Sequence, residues 1–249
     1  MTGLLNLAYP AFDTVDGWLA LLLPAAARLA FWGALSGGVA MVLYAAMSRQ
    51  ERLQALKRQS AELRTRVAAT EDAGEAARLA LQNVRLSFRF LGAVLGPALL
   101  SGIPVLFVLA WVSHAYSYDL PAPGRVVPVT VEPAGIAVTL APAAPEETAV
   151  TWPGQGERID LRQDGSTSIE IPADELELGL VHKRRWWNWL LGNEAGYLPD
   201  DGPADTVRFG LEPREVLSVG PSWVRGWAFV YFASLLLVSL AIKLGFRIV

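Results

Sequence analysis

Three long apolar runs constrain this chain more than any other feature. They cover residues 18–47, interrupted only by Arg28, then residues 90–112, and finally residues 223–245. Each reaches the ~20 residues that a helix needs to cross a ~30 Å hydrocarbon core. Helices of soluble domains keep a polar face, and these runs have none. The sequence therefore predicts an α-helical membrane protein with three transmembrane helices. The composition agrees, with 53% hydrophobic and 18% charged residues. A cleaved signal peptide is the alternative for the first run. Its flank carries Asp13 and Asp16 instead of a basic region, which favours an uncleaved anchor.

The charge distribution sets a direction. Residues 49–89 hold nine basic side chains and five acids, whereas acids outnumber bases across residues 119–215. Short basic loops stay in the cytoplasm. The expected topology has the N-terminus outside and the tail with Lys243 and Arg247 inside. The abundance of alanine and arginine suggests a bacterial inner (cytoplasmic) membrane. A basic patch confined to one loop does not match a nucleic-acid binder, so no specific nucleic acid is expected. The chain has no cysteine, and its histidines, His114 and His182, lie far apart. No cofactor and no metal are implied.

These observations divide the chain into five segments. Residues 1–47 form the outer N-terminus and first span. Residues 48–89 form a cytoplasmic antiparallel coiled-coil hairpin, and residues 90–114 the second span. Residues 115–222 form an inserted extracytoplasmic β-rich module, and residues 223–249 the third span and tail. The hairpin follows from Leu53, Leu56, Ser60, Leu63, Val67 and Thr70, spaced three and four apart. Ala73, Ala77, Ala80, Val84 and Ser87 would continue the seam on the second arm, with Gly74 near the reversal. Its basic side chains Arg49, Arg52, Lys57, Arg58, Arg64 and Arg66 suit anionic headgroups, a ribosome or an acidic partner; a solvated loop obeying the positive-inside rule is the plain alternative.

In the module, "RVVPVTV", "GIAVTL", "TAVTW", "RIDLR", "TSIEI" and "TVRFGL" alternate like strands between proline and glycine turns, as in a small sandwich or meander. Lys183, Arg184 and Arg185 beside Trp186, Trp187 and Trp189 form an interfacial anchor for the outer leaflet, or alternatively a surface that binds a protein partner.

Arg28 is the single charge inside the first apolar run. It is a groove charge, or it sits at the interface and snorkels. Pro97 and Pro104 should kink the second span. Gly33 and Gly37, like Gly92 and Gly96, allow close helix packing. Ser36, Ser101, Ser234 and Ser239 would line a mildly polar groove. Ser113, His114 and Asp119 cluster in sequence, but adjacent helical residues point apart, so no nucleophile–base pair is expected and the chain reads as a non-enzyme.

The segments "LYAAMSRQERLQALKRQ", "IPVLFVLAWVSHAYS" and "GPSWVRGWAFVYF", in this topological order, resemble the Oxa/YidC superfamily of membrane protein insertases. The likeness is to its reduced three-span branch, the archaeal YidC-like proteins and the third subunit of the endoplasmic reticulum membrane complex. Pro104, Trp111, Trp223 and Trp227 match positions of that branch. The resemblance implies a substrate groove lined by Ser36, Ser101, Pro104, Trp111, Trp223, Trp227 and Ser234. It further implies membrane lipids, nascent membrane proteins and a ribosome as partners. Two departures stand out: residues 39–47 lack the family's inner arginine, and the outer connection carries a β-rich module. The rival expectation is a non-catalytic scaffold whose module binds an extracytoplasmic protein.

Overall fold

The computed structural model describes residues 3–136, 138–144, 148–154, 156–163, 167–246 and 248. Met1, Thr2, Ala137 and Arg247, which fall in segments assigned from sequence, lie outside the described residues.

Pro24 divides the first apolar run into two helices. A proline disfavours helical backbone at the residue before it, so a helix approaching Pro24 must stop and a new one can start after it. A short 3-10 segment, Leu5–Ala8, leads into α1 (Tyr9–Ala20), which ends in a turn at residues 21–24 before α2 (Ala25–Met47) begins. The expected first span thus starts seven residues later than the apolar run, and Trp18 belongs to a separate helix.

Next come α3 (Gln50–Ala69) and α4 (Ala73–Ala115), and the chain closes with α5 (Ser222–Arg225) and α6 (Trp227–Gly245). Three helices, α2, α4 and α6, are long and apolar enough to cross a membrane. No break in the backbone marks residues 89 and 90: residues 73–115 are one helix of 43 residues. No proline lies between Gly74 and Pro97, and the helix runs on through Pro97 and Pro104; at 1.5 Å per residue α4 extends roughly 65 Å. Asp72 starts it, its carboxylate accepting from the backbone N–H of Gly74 (3.2 Å) and Glu75 (3.1 Å).

The β-rich region contains β1 (Tyr118–Asp119), β2 (Val126–Glu132), β3 (Val138–Ala141), β4 (Ala149–Thr151), β5 (Arg158–Gln163), β6 (Thr167–Pro172), β7 (Leu180–Lys183), β8 (Tyr197–Leu198), β9 (Thr206–Phe209) and β10 (Glu212–Pro213). They form a five-stranded sheet in the order β4-β2-β9-β7-β8, a three-stranded sheet β3-β5-β6 and the pair β1-β10. All pairings are antiparallel except β7 with β8. The six strand-like segments of the sequence correspond to β2–β6 and β9. The short β1, β7, β8 and β10 gave no alternating signal.

Alternation places Val127 and Val129 of β2 in the core, with Val126, Pro128 and Thr130 outside. Their cross-strand partners Val150 and Phe209 are buried with them. The smaller sheet contributes Leu140, Ile159, Leu161 and Ile171 to the same core. Pro128, in an inner strand, lacks an N–H, yet the ladder tolerates it. Residues 126–128 pair with β4, residues 129–132 pair with β9, and Pro128 sits where the partner changes.

By packing, the chain divides into two compact units, Met1–Leu29 with Phe107–Val230, and Ala30–Leu106 with Tyr231–Val249.

Candidate functional site

In the first unit, α1 presents Tyr9, Asp13 and Asp16 at helical spacing toward the end of α4 and the β-rich region. The Trp111 indole N–H donates to Asp13 Oδ1 at 2.7 Å. The Tyr116 hydroxyl lies 2.9 and 2.8 Å from the two carboxylate oxygens of Asp16, to which it donates. The same carboxylate is ion-paired with Arg28, in the first turn of α2. Arg28 Nη1 also reaches the Asp16 carbonyl at 3.4 Å. Burial first, and then the adjacent Asp16 carboxylate, push the Tyr116 hydroxyl above its ordinary range, so it stays a donor.

Arg28 is therefore the centre of a clamp that ties α1 to the start of α2. Trp111, only 1% exposed, packs against Phe12 and Tyr116.

Beside the clamp, His114 Nε2 stands 3.0 Å from Glu194 and 3.5 Å from Glu177. The hydrogen bond to His114 holds Glu194 below the usual carboxylate range, whereas burial pushes Glu177 up. Ser113 Oγ bonds to the Ala110 carbonyl (2.8 Å), and Asp119 pairs with Arg214 (2.6 Å). The Ser113–His114–Asp119 sequence cluster is thus dispersed onto three different partners. Among the described residues, no three His, Cys, Asp or Glu side chains converge as metal ligands.

The segment expected to be interfacial folds as a 3-10 turn, Trp186–Trp189. Asn188 pins it, accepting from the Arg185 N–H (2.6 Å) and donating to the Leu191 carbonyl (3.1 Å). That geometry turns Trp186 (84% exposed) and Trp189 (59% exposed) outward, with Arg184 and Arg185 exposed beside them. Trp187 instead stacks near His182, 5.4 Å between centroids, and Lys183 pairs with Asp205 at 2.8 Å. The six residues read as one belt thus separate into four that face out and two, Lys183 and Trp187, that are partly buried against Asp205 and His182.

In the second unit, Gly33 and Gly37 of α2 meet the backbone of α6. A Cβ on Gly33 would lie 2.4 Å from the Tyr231 carbonyl oxygen, and one on Gly37 2.5 Å from that of Leu235. The Tyr231 hydroxyl donates to Ser36 Oγ at 2.9 Å, both groups buried. Ser234 Oγ bonds to the Tyr231 carbonyl (2.9 Å), and the buried Ser101 bonds to that of Ala98 (3.0 Å). Among the described residues, a Cβ on Gly92, Gly96 or Gly102 of α4 would meet nothing within 4 Å. Leu91, Leu95, Leu99 and Leu100 are all at least half exposed. Of the expected groove residues, Ser36, Ser101, Pro104 and Ser234 fall in this unit; Trp111, Trp223 and Trp227 fall in the other. Trp223 is exposed and stacks edge-on with Phe229 at 5.5 Å.

The arms α3 and α4 are linked by a hydrogen bond from Ser60 Oγ to Asn83 Oδ1 (2.8 Å). On α3 the more buried positions are Leu53, Leu56, Ser60, Leu63, Val67 and Thr70, the expected seam. On α4 they are Ala76, Leu79, Asn83, Leu86 and Phe90, while Ala73, Ala77, Ala80, Val84 and Ser87 are exposed. The second-arm register thus differs from expectation. The alternation of three and four is kept, but it runs through Leu79 and Leu86, which bury more apolar area than alanines. Gln59, Glu62, Leu63, Arg66, Gln82, Arg85, Leu86 and Arg89 line a cleft of about 350 Å³ between the arms.

Sequence reasoning treated Asp13 and Asp16 only as a flank and overlooked Glu194, Glu177 and Tyr231. A signal for the first two exists: in an apolar stretch, Tyr9, Asp13 and Asp16 recur at one helical face. No family model, no curated protein and no solved structure matches the chain.

Proposed function

We propose that this protein is a membrane protein insertase or insertion chaperone, guiding hydrophobic segments into the bilayer alongside its spans. One observation carries the reading. Within the second unit, α2 and α6 are locked together at Gly33 and Gly37, whereas the face of α4 bearing Gly92 and Gly96 has no close neighbour. A closed three-helix bundle would bury that face. An open one leaves room for a fourth, transient helix, for which glycines permit close approach.

In this reading the hairpin of α3 and α4 is a cytoplasmic coiled coil with a basic cleft. It receives the nascent chain or ribosome, with the N-terminus outside and the C-terminus inside a bacterial inner membrane. No covalent chemistry is required. The incoming segment avoids part of the cost of moving polar flanks through hydrocarbon, then leaves sideways into lipid.

Photocrosslinking groups placed at Leu91, Leu95 and Leu99 should capture nascent membrane proteins during synthesis, and groups at Thr130 should not. Equal yields at both sets, or none above background, would refute the groove.

A scaffold is the second reading. It is favoured by a cleft of about 290 Å³ in the β-rich region, lined by Leu120, Pro121, Pro123, Trp152, Pro153, Gly154, Ala173 and Asp174. A cleft framed by prolines and a tryptophan suits an extended segment of a partner protein. Deleting residues 125–171 while the spans still assemble separates the two: the insertion or growth phenotype of the wild type survives in the first reading, and is lost altogether in the second.

A further inference from the structure

The residues around α1 pose a problem that water cannot solve. Trp18 is 68% exposed, and Leu21 and Leu22 are more than 80% exposed. Leu7, Ala11 and Trp18 lie on one face, four and seven residues apart, opposite the buried face of Leu5, Tyr9 and Asp16. The chain thus builds a helical segment whose inner stripe is buried and clamped at Asp16, and whose outer stripe at Leu7, Ala11 and Trp18 is apolar and uncovered.

The segment that leads into α1 is bonded to the tryptophan turn. The N–H groups of Leu4 and Leu5 donate to the carbonyls of Trp189 and Leu190, each at 2.9 Å. Asn6, buried, grips Gly192 from both sides: its amide donates to the Gly192 carbonyl (3.3 Å) and accepts from the Gly192 N–H (2.9 Å). A Cβ on Gly3 would sit 2.3 Å from Gly192 N, so the two strands of chain are in direct contact. The segment leading into α1 and the turn carrying Trp186 and Trp189 are therefore held side by side.

We propose that this composite surface is embedded in the headgroup layer of the leaflet where α2 enters the bilayer, and that it takes anionic phospholipid. Two observations select lipid over a protein partner. First, Leu22 stands three residues before Ala25, where a helix long enough to span begins, so the stripe is tethered at the membrane boundary. Second, Arg184 and Arg185 are exposed next to Trp186, the pairing of aromatic ring and cation that suits headgroup phosphates. The Asp16–Arg28 ion pair fixes α1 to the first turn of α2. The β-rich region, gripped through Asn6, is thereby held against the lipid surface and not displayed away from it.

The chain has no cysteine, so single-cysteine spin labels report cleanly. The full-length protein in phosphatidylglycerol–phosphatidylethanolamine vesicles is labelled at Leu7, Trp18, Leu190 or, as an aqueous reference, the outward-facing Thr130. Collision with oxygen should exceed collision with a water-soluble nickel chelate at the first three sites, and the order should reverse at Thr130. Labels at Leu7, Trp18 and Leu190 as open to nickel as Thr130 would overturn the proposal. Labels shielded from both reagents would also overturn it, by showing a protein occupant. In the R184E/R185E background the Leu190 label should become several-fold more accessible to nickel, and an unchanged label refutes the role of anionic lipid. No substrate is present in these measurements, so their outcome is independent of whether the protein inserts other proteins.

Discussion

The Asp16 clamp offers the sharpest test of how the first unit is held together. Asp16 and Arg28 have side chains 11% and 18% exposed, and Tyr116 is 1% exposed. Asp16→Asn keeps the volume but leaves the Arg28 charge without its counter-ion. Breaking a buried pair from one side costs about 3–5 kcal/mol. The residual exposure and the remaining contact of Arg28 with the Asp16 carbonyl place this case near the lower bound, about 3 kcal/mol. For a unit of this size, each kcal/mol lowers Tm by roughly 2–4 °C, which gives a fall of about 6–12 °C. Tyr116→Phe removes only a hydrogen bond to a charged acceptor and should cost about 1.5–3 kcal/mol.

The informative variant is the double mutant Asp16→Asn/Arg28→Met. Replacing an ion pair by uncharged groups of similar volume is often nearly neutral, so its Tm should recover most of the loss. Thermal unfolding in micelles, followed by near-ultraviolet circular dichroism, measures this directly, because Trp111 and Tyr116 lie at the clamp. An Asp16→Asn variant within about 1 kcal/mol of wild type would refute the reasoning. So would a double mutant that loses the sum of the single effects.

The remaining predictions concern the other contacts. Gly37→Ala places a methyl group 2.5 Å from the Leu235 carbonyl, so α2 and α6 should separate at a cost of about 1–3 kcal/mol, read as a lowered Tm of the second unit. In the hairpin, Leu79→Asp and Leu86→Asp should open α3 from α4, measured as a longer spin-label distance between positions 59 and 82. Ala80→Asp and Val84→Asp should leave it unchanged, the reverse of what the sequence-derived register implies. Glu194, with a lowered folded value, stabilises above its unfolded range near pH 4.5, and that contribution is lost as pH falls through the folded value. Glu177, with a raised folded value, favours the fold below its unfolded range, a contribution lost as pH rises through its folded value. At neutral pH Glu194→Gln should therefore lower Tm and Glu177→Gln should raise it.

Much of this architecture was written locally. Three helices able to span, six of the ten strands among the described residues and the more buried positions of α3 from Leu53 to Val67 all follow from patterns within a few residues of one another. Hydropathy and alternation report each segment's own need to leave water, whatever it packs against. Even the break at Pro24 was locally legible, because the backbone restriction before a proline is an intrinsic property; the apolar residues 18–23 masked it.

Tertiary structure decided what depends on a distant partner. Arg28 is a clamp because Asp16 lies one helix earlier on the facing side, and Trp111 is buried because Asp13 accepts from it. The second-arm register went to Leu79 and Leu86 because only pairing against α3 reveals which stripe of α4 buries more. Residues 183–189 carry one composition, yet Asn188 and Asp205 divide them into outward and inward sets. The three apolar runs determined by themselves that this chain must meet a bilayer. Which of their faces are closed against each other and which remain open depended on where two glycines of α2 found the backbone of α6, a contact across nearly two hundred residues.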